Sequence, residues 1–267
     1  MQSSCRRLFL LMTVLLSSQC RSEAFQWAVD HKHENIEIFA EFQIDVAGVL
    51  SQFHDVAKEL EEQIGVKSNG KPVQIVLFRT HQNYLNYLVR GIPQARHRKA
   101  IYYRNADVSQ IYAYQNRTLT TDLRHEITHA LLHQYLPFIP LWLDEGLAEY
   151  MEESGDIRGK SSRAASVQWK ARMGATPSLR SLESIPSAEK MDADAYRDSW
   201  AWTCMLLNDS PESLELLRQY LAQIHKGEAP GPFSEFAAAG NPGFQGRGNS
   251  YFRKIKIRVA SDSSREQ

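Results

Sequence analysis

The sequence predicts an α+β fold, with a mixed α/β N-terminal half, an edge strand over the site, a central helix pair and a mainly helical C-terminal half. Three observations predict it. Ile36, Ile38, Ala40, Phe42 and Ile44 alternate with other residues at the period of a half-buried strand, and Val73-Gln74-Ile75-Val76-Leu77-Phe78 reads as a buried one. From residue 120 onward the period changes: Leu123, Ile127, Ala130 and Leu131 recur at helical spacing, and Pro140 suits the first position of a second helix.

The elements follow in order. Between the first two strands, Val49, Leu50, Phe53, Val56, Ala57 and Leu60 form a helical stripe over residues 47–64. Ser68-Asn69-Gly70 marks the turn into the second strand. Thr80 is placed to cap a helix running to about Val89, which Gly91 and Pro93 end. Residues 101–103 and the Tyr-rich 110–114 are two more strand candidates. After the helix pair, residues 154–176 are polar with three glycines and read as a flexible excursion. Further helices are expected over 193–207 and 211–225. Residues 227–248, rich in Gly and Pro, read as loop, and 252–259 suits a strand or a helix equally.

Hydrophobic residues make up 43% of the 267-residue chain, enough for a substantial core. Lys plus Arg and Asp plus Glu both number 31, so no global charge favours nucleic acid, and a polyanion binder is excluded on that ground. At the N-terminus, Arg6 and Arg7 precede an apolar run over residues 8–16, and Ser22 and Ala24 are small residues of the kind a signal peptidase reads. Residues 1–24 are therefore expected to be a cleaved leader directing the protein to the periplasm, the cell envelope or the medium. An uncleaved interfacial anchor is the alternative. The run is well short of the roughly 20 residues of a membrane span. Removing it leaves Cys204 alone, so no internal disulfide is expected, and its Trp200, Trp202, Met205 and Leu206 neighbours suggest a buried thiol. The remaining chain divides into one domain over 25–260, made of an α/β part (25–119) and a helical part (120–260), and a polar tail at 261–267. Nothing in it sets an oligomeric state.

The chemistry is carried by His125-Glu126-Ile127-Thr128-His129. Residues four apart lie one above the other on a helix, so both imidazoles can meet one ion at about 2.0–2.1 Å. Glu126 lies about 100° round the helix and can face water beside that ion. A catalytic zinc needs a third protein ligand. The position six past His129 is Tyr135, which rules out a third histidine there, and His133 is about 12 Å from His125 along the axis, too far to share the ion. Glu145 is a better candidate. The first helix runs about 9 Å past His129, and Glu145 lies roughly 6–8 Å into the returning one, level with the histidines in an antiparallel pair. Glu149, one turn later, is placed to accept the free N–H of a ligand imidazole, and Asp144 points elsewhere on the wheel. A solvated acidic face is the competing reading, but Trp142, Leu143, Leu147 and Tyr150 set these acids beside a core.

His-Glu-Ile-Thr-His followed after fifteen residues by Glu145, within Trp-Leu-Asp-Glu-Gly-Leu-Ala-Glu-Tyr, resembles the gluzincin zinc metallopeptidases, and among them the bacterial peptidase MA-like proteins of unassigned function. The likeness is specific over residues 123–152 and weaker over 73–207. It implies one Zn2+ per chain held by His125, His129 and Glu145, with Glu126 as general base in the hydrolysis of a peptide or protein substrate. It also implies that Tyr196, at a Tyr-x-x-Ser helix start, stabilises an oxyanion, although a core tyrosine fits that position as well. Ile111, Tyr112, Ala113 and Tyr114 then correspond to the edge strand along which an extended peptide lies. The Gly-x-Met-Glu-Asn motif of the aminopeptidase branch is missing, and the gap to Glu145 is shorter than in that branch.

Overall fold

The computed structural model describes residues 27–105, 108–153 and 162–255. The expected leader and polar tail lie outside these residues, as do residues 154–161 of the polar excursion and 256–259 of the stretch 252–259. Among the described residues, no helix is long and apolar enough to cross a membrane.

Five strands, β1 (Val29–His33), β2 (Ile36–Ala40), β3 (Val73–Phe78), β4 (Ala100–Asn105) and β5 (Val108–Tyr114), form one sheet in the order β1-β2-β3-β5-β4. β3 is parallel to both of its neighbours, while β1 and β4 pair antiparallel on the two edges. A central parallel strand is covered on both faces, which explains the apolar run of β3. Val73, Ile75 and Leu77 enter the main core, and Val76 and Phe78 enter a smaller cluster with Tyr84, Leu88 and Tyr112 on the other face. The strand β1 escapes sequence reading because Val-Asp-His-Lys-His carries almost no apolar signal. It is an edge strand, protected by charge, with Lys32 paired to Glu37 across the ladder at 2.7 Å.

The structure corrects the placement of residues 111–114. They do not form the edge, because β5 runs between β3 and β4. Ile111 and Ala113 are fully buried in the main core and Tyr112 in the smaller cluster, so none of these three offers an open backbone to a peptide. The edge strand beside the site is β4. Aromatic content suits either position, and only the strand order separates them.

Helix α1 (Val46–Ile64) connects β2 to β3. Asp45 caps it by accepting from Gly48 N, and Gly65 ends it at φ 74°, a left-handed position where glycine has no Cβ clash. Helix α2 (His81–Leu88) begins at the expected cap, Thr80, which accepts from Asn83 N. Then come α3 (Leu119–Tyr135) and α4 (Leu141–Met151), the expected pair.

Residues 162–172, expected as part of an excursion, form helix α5 (Ser162–Arg172), and α6 (Leu179–Glu183) follows. Helices α7 (Ala193–Asn208) and α8 (Pro211–His225) lie where the sequence predicts them. The glycine- and proline-rich stretch taken for loop contains α9 (Phe233–Gly240) and begins α10 (Phe244–Phe252). The reason is packing. Ala164, Val167 and Ala171 of α5, Phe233 and Ala237 of α9, and Phe244, Tyr251 and Phe252 of α10 recur at helical spacing and are buried. In α10 that contact overrides the low propensity of Gly246 and Gly248, while α5 has no glycine and α9 has one only at its end.

One crossing sets the position of α4. It packs against α7 at Gly146, where a Cβ would come within 2.6 Å of the Ser199 carbonyl oxygen and closer still to Thr203 Oγ1. A backbone oxygen cannot move aside, so Gly146→Ala is expected to lower stability by about 1–3 kcal/mol. Calorimetry should show a Tm drop of about 2–4 °C for each kcal/mol. Gly240→Ala, with nothing within 4 Å of its Cβ, is expected to leave Tm near that of the wild type.

Candidate metal centre

Residues 123–132 of α3 are buried without a break, and Arg124, His125, Glu126, Thr128 and His129 are among them. Polar groups inside a core need partners. Arg124 finds Met151 O at 2.7 Å and Glu59 at 3.0 Å, and Thr128 Oγ1 donates to Arg124 O at 2.8 Å. The histidines find theirs on α4 and just beyond it. Moving forward from Asp144 to Glu152, the partners move backward along α3, from His133 and His129 to His125 and Arg124. The two helices therefore run antiparallel, and Glu145 stands level with both imidazoles.

Each imidazole is tied by its Nδ1. His129 Nδ1 lies 2.8 Å from Asp144 Oδ1, and His125 Nδ1 lies 3.0 Å from Glu152 Oε1. A carboxylate acceptor assigns the proton of a neutral imidazole to Nδ1, leaving Nε2 with a lone pair. Those two Nε2 atoms are 3.1 Å apart, and Glu145 Oε2 lies 3.4 Å from one and 3.6 Å from the other. That oxygen is buried and accepts no hydrogen bond. Three electron pairs thus face one point. Donor atoms bound to a tetrahedral zinc at about 2.0–2.1 Å stand about 3.3–3.4 Å apart, a value that the 3.1, 3.4 and 3.6 Å found here bracket. The residues present fit the ion.

The electrostatics favour a positive charge at the same point. Burial pushes the imidazole of His125 down, but the Glu145 and Glu152 carboxylates outweigh it and raise its pKa to about 10. His129 is raised well above the usual value in the same way, with Asp144 and Glu145 overcoming its burial. Burial pushes Asp144 up, yet its two histidines hold it down at about 2, and Glu145 is likewise held far below the usual carboxylate range.

Two sequence assignments change. Asp144, expected on another part of the wheel, is the partner of His129 and also binds His133 Nε2 at 2.8 Å through its second oxygen. An imidazole presents its nitrogens on opposite sides, so a ligand beside Nε2 and a partner at Nδ1 need not share one helix face. The partner of His125 is Glu152, not Glu149. Burial and the neighbouring Glu152 raise Glu149, which is drawn instead into an ion pair with Arg163. Glu152 lies seven residues after Glu145, two turns on, and that spacing is the signal that could have found it. Two further groupings, His129-His133-Asp144 and His125-Glu149-Glu152, bring ligand atoms together, but hydrogen bonds and the Arg163 ion pairs already match them.

Glu126 stands apart from the converging atoms. Its Oε2 accepts from Tyr102 N of β4 at 2.6 Å, and the side chain lines an open cleft of about 230 Å³ together with His125, Glu152, Arg98 and Tyr196. Tyr196 therefore faces the site from the first turn of α7. Neither Arg98 nor the Tyr102 amide has a sequence signal, since a loop residue and a backbone N–H carry no motif. Cys204 is fully buried, as expected, and among the described residues it forms no disulfide.

No family model and no curated protein matches the sequence. Among solved structures, an M1 zinc metallopeptidase from Deinococcus radiodurans is similar at 14% identity and a TM-score of 0.43, over 88% of this chain and 53% of that one. The chain thus spans about half the length of that structure. At this score the likeness carries no argument about function, which rests on the donor set.

The carboxylates behind the histidines are expected to control metal affinity. Asp144→Asn and Glu152→Gln should each weaken zinc binding about 10–100-fold in competition with a chelating dye, with Glu149→Gln weakening it less. An equal or larger loss for Glu149→Gln would restore the partner expected from sequence.

Proposed function

We propose that this protein is a zinc-dependent hydrolase, exported by its N-terminal leader, that cleaves amide bonds in peptide or protein substrates. One observation carries the reading: His125 Nε2, His129 Nε2 and Glu145 Oε2 converge in a buried site, with a carboxylate that is not a ligand on the wall of the adjoining cleft. Two imidazoles and one carboxylate are the ligand set of several catalytic zinc sites, which keep a further position open. A structural site has no use for an extra base beside it. The motif resemblance over residues 123–152 points the same way.

When bound, the ion supplies Lewis acidity toward water and toward a substrate carbonyl. The chain's own residues supply the rest. Glu126, anchored through Oε2 by the Tyr102 amide, takes the proton of the attacking water and passes it to the leaving amine. Tyr196 donates its hydroxyl to the oxyanion of the tetrahedral intermediate, an interaction that develops fully only in the transition state. Asp144 and Glu152 hold the two rings in one tautomer. Ala100 of β4 lines the cleft, so the edge strand offers its backbone to an extended substrate, the role first expected of residues 111–114.

Purified protein is expected to hold about one equivalent of zinc by mass spectrometry of the metal. Glu126→Gln should keep that zinc and lose about 10²–10⁴-fold in hydrolysis, while Glu145→Ala loses the metal itself. A peptide library and peptidoglycan fragments together cover the amide substrates. Stoichiometric zinc without turnover on either pool would replace the hydrolase by a zinc-holding protein that has no turnover.

A further inference from the structure

Arg98 follows a short 3-10 turn (Pro93–His97) and leads into β4, on the wall of the cleft opposite the start of α7. Its Nη2 lies 3.4 Å from Tyr196 Oη. A guanidinium only donates, with five N–H groups and no lone pair. In this contact the phenol oxygen must therefore accept, and its own hydrogen must point elsewhere. Among the described residues, the Tyr196 hydroxyl donates to no protein acceptor, and Arg98 makes no ion pair that would draw it away. Both side chains are half-buried and border the cleft that Glu126 and His125 also line.

We infer that Arg98 is a positioning residue, which turns the Tyr196 hydroxyl proton into the cleft and makes the phenol a fixed donor to the developing oxyanion. The inference rests on the hydrolytic reading of the site and names what readies Tyr196 for it. A tyrosine free to rotate would divide its proton between cleft and solvent, whereas one held from behind by a cation has one direction left. The cation also polarises the O–H bond, since hydrogen bonds involving a charged group are the stronger ones. The charge on Arg98 is supported by its surroundings: burial works against it, and Tyr196, Glu145 and Glu126 outweigh burial.

Two measurements test the inference. The first needs neither zinc nor turnover. In protein labelled with 13C at tyrosine Cζ, the resonance missing from Tyr196→Phe identifies Tyr196, and Arg98→Met should shift it while leaving the other tyrosines and the melting temperature in place. An unmoved resonance overturns the contact. The second is a kinetic cycle on the zinc-loaded protein. Arg98→Met is expected to lower kcat about tenfold or more, the scale of one charge-assisted hydrogen bond, with KM little changed and partial rescue by Arg98→Lys. In the Tyr196→Phe background the same change should have no further effect on kcat. A rise in KM confined to acidic substrates, and equal in both backgrounds, would make Arg98 a receptor for a substrate anion and overturn the positioning role. If no variant hydrolyses anything, the functional reading fails, and a positioned phenol with no oxyanion to meet fails with it, even where the resonance shift upholds the contact.

Discussion

Three electron pairs held at one buried point, two from imidazole Nε2 atoms and one from a carboxylate oxygen, are the feature around which the centre of this protein is arranged. Such a grouping is unfavourable unless a cation compensates it, because buried lone pairs without donors are costly. The chain has removed the easy escapes. Asp144 and Glu152 occupy the Nδ1 atoms, so neither ring can flip without abandoning its carboxylate partner. Protons answer the negative surroundings when no metal is bound, which is why both histidines are raised and their carboxylates lowered.

Holding that point requires the two helices to stay in register, and most of the fold serves that purpose. On one side α3 lies on the sheet against β4 and β5, and the β4 backbone reaches Glu126 directly. On the other side α4 is fixed against α7 by a crossing close enough to exclude any side chain at Gly146. The same α7 carries Tyr196 into the cleft, so the packing that positions the glutamate ligand also positions the phenol. Arg124 adds a further tie, joining α3 to the end of α4 and to Glu59 on α1. The sheet and the helical half thus meet at the centre through shared helices, and neither is a separate support for it.

Much of this was legible from residues with a local signature. The H-E-x-x-H spacing is helical arithmetic, the apolar run of β3 records burial on two faces, and Thr80 and Pro140 mark the starts of their helices. What failed to show was non-local. Residues 111–114 look the same at an edge as inside a sheet. The helices over 162–172, 233–240 and 244–252 lie in stretches whose glycines and prolines suggest loop, and it is the neighbours covering their apolar residues that reveal them.

The sequence by itself determined the chemistry available: two histidines and a glutamate on one helix, an acid-rich partner after a proline turn, and a change of period from strand to helix near residue 120. Spacing along a helix follows from backbone geometry, so those relations hold wherever the helix sits. Only the tertiary structure decided which acid serves which nitrogen, which strand is the edge, and that Arg98 faces Tyr196 across 98 positions of sequence. Those pairings depend on distances between elements, and such distances are set by the packing of the whole chain and by no local pattern of residues.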